Sequence, residues 1–356
     1  MEDAARSPYS DLAAAAFWRS CRKDPEFRVS DLYQPTVALS GSERIAAAGS
    51  CFAQHLSRRL KGAGLPFVDT EPAPEDVDEA TAARYGYGVY SARYGNVYTP
   101  RQLDQLLSDA VARRIRRRSF WTKGDRVYDA LRPGVEPNGL PSERAAQAMR
   151  VEHLDRVAAI FRTAEVFVFT LGMTEAWVDR RSGTVFPTAP GVFAGEYDPS
   201  RHGLANFSYK EVLRDTTSAI RRMRRLRPGL KVFLTVSPVP LTATAEPRHV
   251  LFSTISSKSR LRAAAEEIAR NDPLTDYVPT YDLIAGAPFS DQFFEDNWRS
   301  VNQRGVDLAM GLFFGAHGLS QTQVEADLAS TAQADGRADA ADDVICEEVM
   351  LEDFRP

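Results

Sequence analysis

The residues best suited to chemistry lie side by side in the stretch 44–60, RIAAAGSCFAQHLSRRL. An apolar run at 45–48 stops at Gly49, and Phe52, Leu56 and Leu60 then recur at helical spacing. The pattern predicts a buried strand, a sharp turn and a helix, with Ser50 and Cys51 at the helix N-terminus. A thiol placed there faces backbone N–H groups that lack intrahelical partners and the positive end of the helix dipole, and both favour the thiolate. The same N–H groups can hold an oxyanion. Cys51 is therefore the first candidate nucleophile, for attack on an ester, thioester or activated amide carbonyl, and Ser50 is its rival. Each also has a structural role to fill: serine commonly caps a helix, and free cysteine packs as a small hydrophobe.

A thiol nucleophile in acyl chemistry needs a base within about 2.6–3.2 Å. The chain has five histidines, His55, His153, His202, His249 and His317. His249 follows the stretch 237–245, SPVPLTATA, which should form a loop at the mouth of the sheet, and it is the predicted base. His55 is one helical turn beyond Cys51, away from the reactive end. His153 is expected in a helix and His202 in a loop, both structural or at the surface. Glu175 and Asp282 are the acids able to orient an imidazole, though each reads more readily as a helix cap or an ion-pair partner. Arg93 and Lys258 are cations able to bind an anionic substrate group. Cys51 and His55 offer two metal ligands, but no further cluster completes a tetrahedron. No metal and no cofactor are expected.

Several elements must position these residues. Residues 164–171, AEVFVFTL, form a near-continuous apolar run, the mark of a strand buried on both faces of a parallel sheet. Residues 230–236, LKVFLTV, repeat it, and 276–281 resemble a further short strand. Helices are predicted over 103–118, 211–225 and 257–269. Strands alternating with helices imply a doubly wound α/β sheet, whose ligands bind at the carboxyl ends of the strands. GSCFA, GMTE and SPVP all fall at such ends. A strand-to-helix turn is also how several α/β hydrolases present a nucleophile. The aromatic–glycine run at 85–98, YGYGVYSARYGNVY, requires backbone in unusual conformations.

A net charge of −4 gives no electrostatic reason for nucleic acid or an anionic membrane as main partner. The arginine clusters at 113–118 and 221–227 read as solvated helix C-termini. No apolar run reaches the roughly 18–20 residues of a membrane span, and the N-terminus lacks the basic and apolar regions of a secretory signal. Three scattered cysteines build no disulfide framework. A cytoplasmic, reduced protein is expected. Its parts are an N-terminal arm at 1–40, pinned by Phe17 and Trp18, a catalytic domain at 41–317 and an acidic tail at 318–356. The tail includes a linker at 331–343, and the apolar residues that close the chain are expected to dock.

The chain resembles the GSCFA domain family, a branch related to the SGNH/GDSL hydrolases. The resemblance is carried by AFWRS, AGSCFAQHL, YSARYGNVYT, FTLGMTEAW, TVSPVPLTAT, His249–Val250, SKSRLRAAA and VPTYDLI, in that order, over roughly residues 8–315. It implies a three-layer α/β/α sandwich with a flavodoxin-like, mainly parallel sheet. In the G-D-S motif Cys51 takes the place of the serine. Gly95, beside Asn96, matches the glycine that donates an N–H to the oxyanion hole, and Thr174 stands where the third block has asparagine. The D-x-x-H block is broken, since Asp296 is followed by Arg299. His317 lies beyond the matching blocks. The resulting expectation is an acyl-handling enzyme, hydrolase or acyltransferase, with a Cys51–His249 dyad. Cys51, Gly95 and Thr174 would form its oxyanion hole, and Tyr87, Tyr90, Tyr94 and Trp177 would line it. Its substrate would be a small-molecule or carbohydrate acyl compound, a carrier-bound acyl donor included. The alternatives are a serine esterase using Ser50 and a binding module on the same scaffold.

Overall fold

A computed structural model describes residues 7–21, 28–289, 292–319 and 350–351. The strand and helix predicted around GSCFA form as β1 (Ile45–Gly49) and α1 (Phe52–Gly62). Then come α2 (Glu79–Arg84), α3 (Pro100–Ala112), a hairpin of β2 (Phe120–Lys123) and β3 (Arg126–Asp129), α4 (Glu143–Thr163) and β4 (Val166–Leu171). Three short strands follow, β5 (Glu175–Asp179), β6 (Val185–Phe186) and β7 (His202–Asn206), then α5 (Tyr209–Leu226) and β8 (Lys231–Val236). The described chain continues through α6 (Val250–Asn271), β9 (Thr275–Tyr277), α7 (Thr280–Ala285) and α8 (Gln303–Ala316).

The main sheet has the order β1-β4-β8-β9, all parallel, with Ala47 opposite Val168, Val168 opposite Phe233 and Phe233 opposite Asp276. On the free side of β1, Phe67 makes one parallel bridge to Ile45. With that rudimentary strand counted, the sheet has the 2-1-3-4-5 order of flavodoxin-like folds. Successive side chains of a strand face opposite ways, and the strands here are apolar on both faces. Phe167, Phe169, Val232 and Leu234 pack with α3, α4, α5 and α6; Ile45, Ala47, Val168 and Phe233 pack with α1, α7 and α8. The molecule is thus the three-layer α/β/α sandwich expected, each buried Phe or Leu contributing about 1.5–3 kcal/mol of hydrophobic stabilisation.

Some expectations are corrected. The helix predicted over 103–118 ends at Ala112, because Arg113 turns to φ 49° and the buried Asp109 carboxylate draws Arg114 (2.7 Å) and Arg116 (2.5 Å) back onto it. The basic run is therefore partly an internal ion-pair cluster. In the second cluster Arg222 pairs with Asp104, Arg224 with Asp272 and Arg227 with Glu165. The strand expected at 276–281 stops at Tyr277, since Thr280 opens α7. The helix expected at 257–269 begins at Val250, capped by His249. The antiparallel sheet β6-β5-β7 and the β2–β3 hairpin were not foreseen, their strands being too short for a clear alternation.

Trp18 does not pin the N-terminal arm: it is 74% exposed. Tyr33, Val37 and Leu39 join the core instead, and Asp276 holds this segment by accepting from the N–H groups of Thr36 (2.8 Å) and Val37 (3.2 Å). Apart from 318–319 and 350–351, the tail expected from residue 318 lies outside the described residues. Among the described residues no helix is long and apolar enough to cross a membrane.

Candidate active site at the end of the first strand

Gly49 ends β1 at φ 155°, and a Cβ there would sit 2.7 Å from the Cβ and carbonyl oxygen of Thr170. Only glycine lets the chain leave the sheet so close to β4. Cys51 then occupies the N-cap position of α1 in right-handed helical conformation, 6% exposed. Ser50 precedes it, buried, and does not cap: the first turn is closed by backbone, with the Ala53 N–H on the Ser50 carbonyl (2.8 Å) and the Gln54 N–H on that of Cys51 (3.0 Å). The Ser50 hydroxyl is buried with no hydrogen-bond partner among the described residues.

The turn is braced from the loop before α3. The Tyr90 hydroxyl lies within hydrogen-bonding distance of the Ser50 carbonyl (2.9 Å), the Gly49 carbonyl (3.2 Å) and Asn96 Oδ1 (2.7 Å), which also accepts from Gln54 (3.1 Å). Gln102 donates to the Asn96 carbonyl (2.9 Å). Asn96 is thus a structural brace of this turn, and Tyr90 and Tyr94, stacked at 5.5 Å, are buried behind it.

Ser50 and Cys51 open onto a pocket of about 220 Å³, its solvent-facing part included. Its other walls come from the ends of β4 and β8 and from α6: Gly172 and Met173, then Ser237, Val239, Pro240 and Leu241, then Lys258, with Tyr98 at the side. These are carboxyl ends of parallel strands, where ligands of such sheets bind. Gly172 cannot carry a side chain, since a Cβ would fall 2.9 Å from that of Ser50 and 3.0 Å from the Tyr98 carbonyl oxygen. Lys258, 2% exposed, donates to the Gly172 carbonyl (2.6 Å). Of the candidates read from sequence, this pocket gathers Cys51, Ser50 and Lys258.

The others fall elsewhere. His249 is exposed; its ring nitrogen accepts from the Leu251 N–H (3.2 Å) as the cap of α6, and it does not line the pocket. Glu175 opens β5 and accepts from Thr244 (2.8 Å) rather than from an imidazole; burial raises its pKa, against the opposing effect of the Thr244 and Ser253 hydroxyls. Asp282 pairs with Arg262 (2.8 Å) and accepts from Tyr277 (2.6 Å). Thr174 spends its N–H on Ser257 (2.9 Å) and its hydroxyl on Asn206 (2.8 Å). Gly95 has the positive φ, 67°, that its loop requires, but it does not border the pocket. Arg93 is buried against Glu136 (2.5 Å) and lies over the Tyr87 ring, which makes it structural. Trp177 packs on Tyr197. The aromatic wall of the pocket is Tyr98, not the four residues expected.

The remaining histidines are structural. His55 packs on Phe52 along α1. His202 is buried on β7 and accepts from the Asp198 N–H (3.1 Å). His317 lies against Tyr33, Phe233 and Phe313. His153, fully buried in α4, shares a hydrogen bond with Glu71 (2.8 Å), and burial pushes its pKa down to about 4. Burial alone would raise Glu71, but His153, Arg132 and the Arg93 N–H hold it down at about 2. Arg132 reaches both Glu71 and Asp129, so a buried ionic network frames the loop that carries Asn96.

Sequence reasoning placed SPVP at a ligand-binding strand end without naming Ser237 as a site residue, and it missed Tyr98 and Leu241. Ser237 had a readable signal: it is the first residue after an apolar strand, at the carboxyl end where ligands gather.

The structure is an α/β/α sandwich with a candidate nucleophile on its first strand-to-helix turn. The chain belongs to the GSCFA family, whose profile matches residues 44–313. No curated protein sequence matches it. Among solved structures it is similar to a carbohydrate esterase family 3 protein from Talaromyces cellulolyticus, at 10% identity over 76% of this chain and 94% of that one, TM-score 0.36. It is also similar to an acetyl esterase mutant with acetate ion, at 10% identity over 78% and 100%, TM-score 0.37. Neither likeness bears on the chemistry.

Proposed function

We propose that the protein is an acyl-handling enzyme in which the Cys51 thiolate attacks the carbonyl of a short acyl ester, thioester or activated amide, and water or an acceptor resolves the acyl-enzyme. The observation that carries this reading is the placement of Cys51, at the start of α1 and on the wall of a pocket at the carboxyl edge of the sheet. The amides and dipole of the first helical turn favour both a thiolate and an oxyanion there. The pocket is smaller than the roughly 300–1,000 Å³ of drug-sized sites, and its apolar walls, Met173, Val239, Pro240 and Leu241, suit a short acyl group. The sugar or carrier portion of a substrate would then lie outside.

A second reading has its own observation. The Ser50 hydroxyl is buried at the same pocket with no partner among the described residues, which suits either a serine nucleophile or a donor to the oxyanion. Intact-mass spectrometry separates the cases. The protein is mixed with a panel of activated acyl donors, beside Cys51→Ala and Ser50→Ala. An added acyl mass lost only in Cys51→Ala supports the thiol mechanism, and one lost only in Ser50→Ala supports the serine esterase. If no donor is acylated onto the protein and none is consumed, the acyl reading fails and a binding module takes its place.

A further inference from the structure

We propose that Lys258 fills the role the sequence assigned to His249: it is the charge partner that keeps Cys51 ionised and the group that carries the proton of acyl transfer. The inference rests on Cys51 being the nucleophile. Lys258 is the one charged side chain among the described residues that line the Cys51 pocket; the other ionisable lining group besides the thiol is Tyr98. The segments Gly172–Met173 and Ser237–Leu241 bring no charge to it, and the turn before α1 brings only Ser50 and Cys51.

One hydrogen bond places the ammonium, and one close approach ties its acceptor residue to the turn. Its Nζ donates to the Gly172 carbonyl at 2.6 Å, and the bare Cα of Gly172 lies against Ser50, so close that an added Cβ would be 2.9 Å from the serine's. Lys258 and the reactive turn therefore touch the same residue from two sides. The backbone beneath Lys258 is anchored on both flanks. Ser257 accepts the Thr174 N–H (2.9 Å), and Arg260 donates to Asn206 (2.8 Å) and to the Phe207 carbonyl (3.1 Å). A cation lining the same pocket as a thiol favours the thiolate, and an ammonium, unlike a guanidinium, can pass on a proton.

The step balances as follows. The thiolate forms a C–S bond to the acyl carbon, the bond to the leaving oxygen breaks, and that oxygen takes a proton from the Lys258 ammonium, which becomes a neutral amine. The amine then accepts a proton from water or an acceptor hydroxyl as its oxygen attacks the thioester. The C–S bond breaks, and thiolate and ammonium are restored together.

The test is the rate of Cys51 alkylation by iodoacetamide against pH, followed by single-turnover release of the acyl group, in wild type, Lys258→Met and Lys258→Arg, each checked for folding by circular dichroism. In wild type, half-maximal alkylation is expected well below the free-thiol pKa of about 8.5. Lys258→Met should move it up by about 1–3 pH units, slowing alkylation at pH 6.5 about tenfold or more. Lys258→Arg keeps the cation but cannot release a proton, so alkylation should match wild type while release slows about 100-fold or more. Wild-type alkylation at low pH that Lys258→Met leaves unchanged overturns the role of Lys258 and spares the thiol reading. A wild-type thiol titrating near 8.5 removes the thiol reading itself. If Lys258→Met fails to fold, Lys258→Arg still decides, because unaltered release in that variant excludes the proton transfer.

Discussion

His153 gives stability a pH dependence that can be worked from the structure. The residue is completely buried, and its folded pKa is about 4 against 6.5 in an unfolded chain. The folded pKa is the lower, so between these values the unfolded state binds the extra proton. The contribution is complete above pH 6.5 and is lost as pH falls towards 4. Between pH 7.5 and 5 the unfolded histidine gains about 2 kcal/mol from protonation that the folded one does not. The perturbation is His153→Gln, whose amide can still donate to Glu71 but does not titrate. Urea unfolding followed by tryptophan fluorescence, in both proteins at both pH values, isolates the effect, because His202 and His317 titrate alike in each. The variant should start less stable at pH 7.5, and the gap should narrow by about 2 kcal/mol at pH 5. Parallel stability curves would refute the assignment of a neutral, buried His153 bound to Glu71.

Two further outcomes bear on the site. Gly172→Ala inserts a methyl against Ser50 and the Tyr98 carbonyl; it should cost about 1–3 kcal/mol of stability by overpacking and slow formation of the acyl adduct, read by thermal melting and intact mass. His249→Ala removes only the cap of α6, so it should lose about 1 kcal/mol and form the adduct at the wild-type rate; a rate falling a hundredfold would return the base to His249.

The sequence determined the elements built from local periodicity. Glycine after an apolar run and before Phe52, Leu56 and Leu60 specified β1, the turn and α1, because a strand buried on both faces and an amphipathic helix each write their period into adjacent residues. The runs at β4 and β8 did the same, and with them came the layered fold and the place of Cys51. The short strands β5–β7 left no such mark, and α6 began earlier than its alanine-rich part suggested.

Which side chains meet at the site was decided by tertiary structure. His249 lay in the right loop but was drawn out as a helix cap, since an N-terminal amide of α6 needed an acceptor. Arg93 was turned inward to Glu136, and Thr174 was used up by Ser257 and Asn206. Lys258, two turns into α6, came to the pocket only because that helix packs on β8 and β9 with Ser257 and Lys258 bonded to the segment after β4. Spacing along a chain fixes neighbours on one element; contacts between elements depend on how those elements pack, which no local pattern records.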